Sequence, residues 1–66
     1  MATVHESTRA QLARVSEVAK FLSLSRSKIY LMMDRGEIPY IKLGKSRRLR
    51  WQDVISLVES NVVGPQ

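Results

Sequence analysis

Five cationic side chains, Lys42, Lys45, Arg47, Arg48 and Arg50, fall within nine residues, and Arg26 and Lys28 precede them. The chemistry such a cluster can do is to bind a polyanion, because concentrated positive charge raises the local density of negative partners. The charge is also local. Residues 26–50 carry a formal +6, residues 1–25 only +1 and residues 51–66 −2, within a chain of net +5. Nucleic acid is the leading partner for such a segment in an intracellular domain; a solvated face is the plain alternative.

Other chemistries find no support. Gly44-Lys45-Ser46 matches the end of a phosphate-binding loop, but that motif needs glycine five positions earlier, where Pro39 stands. The one histidine, His5, lies near the N-terminus, cysteine is absent, and each acid has a role as helix cap or surface charge. No nucleophile, base and orienting group can be assembled, so neither an enzyme nor a metal or other cofactor is expected. A chain of 66 residues buries only about 60% of its unfolded surface, and without disulfides it must hold by packing alone. The absence of an apolar run of membrane-spanning length and of a secretory signal predicts a soluble, cytoplasmic protein. A membrane-surface role would need a basic amphipathic helix, whereas these cations lie mainly on a hairpin.

The elements that must position the cations are legible from periodicity. Residues 1–13 show no sustained pattern and are expected to be flexible or partly helical, with Ser7 or Thr8 as a helix cap. Val15, Val18, Ala19, Phe21 and Leu22 recur at helical spacing and predict a helix over 15–22, capped either by Ser16 or by Arg14 with Glu17 as half a capping box. Ser25 caps a second helix running to Asp34 or Arg35, which Gly36 ends and Pro39 keeps from resuming. From Tyr40 to Trp51 the period changes to two. Ile41 and Leu43, then Leu49 and Trp51, alternate with polar residues, which predicts a hairpin. Pairing Ile41 with Leu49 puts Gly44-Lys45-Ser46 at the tip and Lys42, Arg48 and Arg50 on the face away from the core. A third helix is expected from Gln52 to Ser60, with Val54, Ile55, Leu57 and Val58 inward and Asp53 in its first turn. Residues 61–66 read as a tail.

Two short helices with a three-residue turn and Ala19 at the crossing fit the helix-turn-helix template. The turn prefers glycine and has Ser23, which costs about 1 kcal/mol if that position needs positive φ. The fold class expected is therefore mainly α with a small β-hairpin, a winged helix-turn-helix over residues 14–60. The order of Ser16-Glu-Val-Ala-Lys-Phe-Leu22, Leu24-Ser-Arg-Ser-Lys-Ile-Tyr30, Arg35-Gly-Glu-Ile-Pro39, Lys42-Leu-Gly-Lys45, Arg47-Arg-Leu-Arg50 and Asp53-Val54 resembles the excisionase-type, MerR-like winged-helix family of DNA-binding domains. The resemblance implies a recognition helix in the major groove and a wing crossing the phosphate backbone toward the minor groove.

Helical geometry then distributes the residues. With Ile29, Met32 and Met33 toward the core, Ser27, Tyr30, Leu31 and Asp34 face the groove, Lys28 lies near its edge and Arg26 sits at the N-terminus within reach of a phosphate or a guanine. Ser25 and Ser27 place hydroxyls by the exposed N–H groups of the first turn, a phosphate site. Tyr30 either donates to phosphate or packs at the rim. Leu31 and Asp34 depart from the family's polar or basic habit: Leu31 suits a thymine methyl or another protein, and Asp34 a cytosine amine or a neighbouring cation. In the wing, Lys42, Lys45, Arg47, Arg48 and Arg50 provide five cations on and around the ribbon, for which about four to six phosphate contacts are expected and a slope of log affinity against log salt of roughly −4 to −5. Trp51 shares the phase of Leu49 and is expected in the core.

The function expected is sequence-specific binding of double-stranded DNA, and the resemblance points to a phage or mobile-element excisionase, a recombination directionality factor. So small a module has a limited interface, which favours cooperative binding of several copies and a bent site. The resemblance also implies an integrase, a tyrosine or serine recombinase, as partner, with Val62-Val63 of the tail as a contact. Two alternatives stand beside it: a small winged-helix transcriptional regulator, and a protein-interaction adaptor using Leu31 and the basic wing.

Overall fold

A computed structural model describes residues 11–65. In chain order the elements are β1 (Leu12–Arg14), α1 (Val15–Leu22), α2 (Arg26–Asp34), β2 (Ile41–Leu43), β3 (Ser46–Arg50) and α3 (Trp51–Ser60). The strands form one antiparallel sheet in the order β1-β3-β2. No described helix is long and apolar enough to cross a membrane.

The helices begin and end where local chemistry sets them. Arg14 is the N-cap of α1, and its backbone N–H donates to Glu17 Oε1 at 2.8 Å. Only this half of a capping box can form, because a guanidinium has no acceptor to return the bond. At the other end Ser23 adopts φ 58°, ψ 40°. Its N–H donates to the Lys20 carbonyl at 3.2 Å while that of Leu24 donates to Ala19 at 2.9 Å, the paired bonds of a Schellman ending. Helix α2 ends the same way at Gly36, φ 74°, with Gly36 donating to Met33 and Glu37 to Met32. One left-handed position carries glycine and the other serine.

The core is built from Ala13, Val15, Val18, Ala19, Ile29, Met33, Ile38, Leu49 and Val54, with Leu22, Met32, Tyr40, Trp51 and Leu57 partly buried around it. Val18 and Ala19 of α1 and Ile29 and Met33 of α2 meet at the crossing, which places a small side chain where two backbones approach. Ile38, between Gly36 and Pro39, is an addition that periodicity did not single out, since it stands alone in a turn.

Four expectations are corrected. Leu12–Arg14, largely within the stretch read as flexible or helical, is a strand whose register pairs Leu12 with Arg50, Ala13 with Leu49 and Arg14 with Arg48. The expected cap at Ser7 or Thr8 lies outside the described residues. The hairpin closes through Gly44 and Lys45 alone, with Ile41 opposite Arg48, Lys42 opposite Arg47 and Leu43 opposite Ser46. Gly44 has φ 63° and Lys45 is not left-handed, the arrangement of a type II′ turn, whose twist matches that of the strands. A loop one residue shorter than expected shifts the register by one and exchanges faces. Ile41 and Leu43 therefore share the outer face with Arg48, and Lys42 shares the inner face with Arg47 and Leu49. In α3 only Val54 is buried; Ile55 and Val58 are exposed, because the helix packs on one side only. Finally, Phe21 is exposed rather than inward, and its ring meets the half-buried Trp51 edge-on at 5.4 Å.

Candidate nucleic-acid interface

Helix α2 is fixed at its start by Ser25, whose Oγ accepts the Lys28 N–H at 3.0 Å. Ile29 and Met33 seat it against α1, so the opposite side must face solvent. At 100° per residue that outer ridge carries Ser27 and Leu31, both exposed, and Arg26, Tyr30 and Asp34 form a stripe turned toward the wing. Ser25 spends its hydroxyl on the cap and leaves the ridge to its neighbours.

The wing reaches the same side of the molecule. Strand β1 covers β3 only from Arg48 to Arg50, so Ser46 and Arg47 continue past it as an overhang. Between this overhang, the start of α1 and the α2 stripe lies a groove of about 270 Å³. Arg14 and Ser16 line it from α1 and its cap, Arg26 and Tyr30 from α2, and Lys45, Ser46, Arg47 and Arg48 from the wing. Among the described residues five cations line it and no carboxylate does. Such a trough, cationic and walled by two elements, can hold a phosphate backbone between them.

The sequence-predicted residues divide accordingly. Arg26, Tyr30, Lys45, Arg47 and Arg48 are brought together at the groove. Ser27, Lys28 and Leu31 are exposed on α2 outside it, and Lys42 is exposed on β2. Lys42 was expected beside Arg48 and Arg50, and the shifted register puts it on the face of Arg47. Arg50 donates from Nε to Asp53 Oδ2 at 2.6 Å, which ties it to the first turn of α3. Asp34, open between a base and a cation as partner, pairs with Arg47 at 3.1 Å. Arg14 was missed. It enters the groove because β1 holds it opposite Arg48, and the only signal in the sequence was a basic residue at the helix cap.

Helix, turn, exposed second helix and basic ribbon on one side define a winged helix-turn-helix module. The chain belongs to the helix-turn-helix domain family, which matches residues 14–62. Two relatives from Mycobacterium tuberculosis bear the names "Putative DNA-binding protein MT0521" (strain CDC 1551 / Oshkosh) and "Putative DNA-binding protein Rv0500A" (strain ATCC 25618 / H37Rv). Each is 29% identical over 56 residues, which span 85% of this chain and 72% of the relative. No solved structure matches the chain significantly.

Proposed function

We propose that this chain binds duplex DNA sequence-specifically, α2 entering the major groove and the β2-β3 wing following the phosphate backbone toward the adjacent minor groove. The observation that carries the reading is the single groove in which Arg14, Arg26, Lys45, Arg47 and Arg48 converge from three parts of the fold. A polyanion is the partner that such convergence favours, and the family and the names of the two relatives agree with DNA. Ser27 and Leu31 on the outer ridge meet base edges, Leu31 favouring a thymine methyl, and Arg26 reaches a phosphate or a guanine. Lys28 and Lys42 flank the site.

The particular role we propose is that of an excisionase. Copies bind side by side on an attachment site, bend it and help a tyrosine or serine integrase to assemble the excision complex. One module with one recognition helix reads few base pairs, so specificity at genomic scale calls for several copies. Footprinting across candidate attachment regions tests the binding, with repeated protected blocks expected. Excision of a supercoiled plasmid by integrase, with and without this protein, tests the role. Protection without any effect on excision reassigns the protein as a transcriptional regulator. Equal, weak binding to random and candidate duplexes at physiological salt, with capture of an acidic protein partner, favours the adaptor reading.

A further inference from the structure

Three groups converge on the Arg47 guanidinium. Nη1 donates to Asp34 Oδ1 at 3.1 Å, and the central carbon lies 4.8 Å from the centroid of the Tyr40 ring and 5.4 Å from that of Tyr30. Tyr30 and Asp34 stand four residues apart on α2, Tyr40 precedes β2, and Arg47 belongs to β3. A planar guanidinium can stack on aromatic faces while donating in its own plane, which an ammonium cannot do. The Arg47 side chain is only 27% exposed, against 60% for Asp34. It is turned inward, while a cation reaching for phosphate is free to extend.

The surroundings give this contact its importance. Arg47 lies on the overhang that β1 does not pair, and a two-stranded ribbon has little rigidity of its own. Among the described residues no other hydrogen bond or ion pair joins α2 to the wing. The contact also accounts for an acid on a helix turned toward a polyanion, because Asp34 is neutralised where it stands.

We infer that Arg47 is a positioning residue, a clasp that fixes the angle between the recognition helix and the wing, with Asp34 as its counter-charge and not as a reader of bases. Its consequence for binding rests on the duplex-DNA reading above; the clasp itself is measurable in the free protein.

The test uses the full chain with Asp34 and Arg47 both replaced by alanine, which leaves net charge unchanged, and separately Arg47→Lys. In the free double variant, heteronuclear 15N relaxation is expected to show increased motion at residues 42–47, with the signals of Leu49 and Val54 in place. On DNA, the ratio of specific to non-specific affinity falls about fivefold or more, comparable to the weaker base-pair mismatches, while the salt slope stays as in the wild type. Arg47→Lys gives the same loss. A wing as rigid as the wild type's overturns the clasp, as does a mobile wing with an unchanged specificity ratio. A salt slope smaller by about 0.9, or full function in Arg47→Lys, identifies Arg47 as a phosphate contact instead. Absence of salt-dependent duplex binding by the wild type refutes the DNA reading, and the relaxation measurement still decides the clasp.

Discussion

Replacing Ser23 by glycine should stabilise the protein, and the structure fixes both sign and size. Ser23 holds φ 58°, ψ 40° at the end of α1, is exposed, and makes no side-chain hydrogen bond among the described residues, so the substitution removes no favourable contact there. An L-residue in the left-handed region costs about 1–2 kcal/mol, of which the greater chain entropy of unfolded glycine offsets about 0.5–1. The net gain is about 0.5–1 kcal/mol, worth about 2–8 °C in Tm for a domain of this size. Gly36→Ser is the matched reverse experiment. Gly36 has φ 74° in the same Schellman arrangement, and a Cβ built there meets nothing within 4 Å, so only backbone strain is added. Thermal unfolding followed by circular dichroism should show the two variants displaced in opposite directions by similar amounts. A Tm for Ser23→Gly equal to or below that of the wild type would refute the strain argument, and with it the claim that the turn geometry dictates this residue.

Further outcomes follow from the groove. Arg48→Ala should reduce the salt slope of DNA binding by about 0.9 and weaken all sequences nearly equally, whereas Arg26→Ala or Lys28→Ala should also change sequence preference; titrations on a panel of duplexes at several salt concentrations separate these. Ser25→Ala removes the acceptor for the Lys28 N–H and should cost about 1 kcal/mol in urea denaturation. Arg50→Ala breaks the pair with Asp53 and should lower stability by about 0.2–1 kcal/mol while leaving sequence preference unchanged; a changed preference would return Arg50 to the DNA surface.

The parts legible in the sequence are those whose causes are local. Helix α1 runs over the predicted residues because apolar spacing and the Arg14-Glu17 cap act within one turn, and α2 is bounded by Ser25 and Gly36 for the same reason. The wing was legible as a hairpin but not in register, because Ile41 and Leu43 carry the alternation of an inward face and the two-residue turn sends them outward. Strand β1 could not be read: three residues hold no period, and only the edge of β3 makes them extended. Arg14 was missed with it. Likewise Arg26, Tyr30, Lys45, Arg47 and Arg48 were legible as surface residues, while the partnership of Arg47 with Asp34 spans thirteen residues and two elements.

The structure also alters how the charge should be counted. Sequence assigns five cations to the wing, but Arg47 and Arg50 each carry a carboxylate partner, and those acids lie at the end of α2 and the start of α3. At the groove this leaves Arg14, Arg26, Lys45 and Arg48 without an ion-pair partner among the described residues, four contacts and a slope of about −3.6 where the raw count gave −4 to −5. Two of the four oppose each other. Arg14 and Arg48 are register partners on adjacent strands, an arrangement that costs about 0.2–1 kcal/mol in the free protein. A phosphate placed between them relieves that repulsion on binding, so the pair contributes differentially to the bound state, whereas Arg47 and Arg50 serve the shape that brings the pair to the backbone. A double-mutant cycle at Arg14 and Arg48 should therefore show the two coupled unfavourably in the free protein and favourably on DNA. The same sign of coupling in both states would mean that the repulsion has no part in recognition.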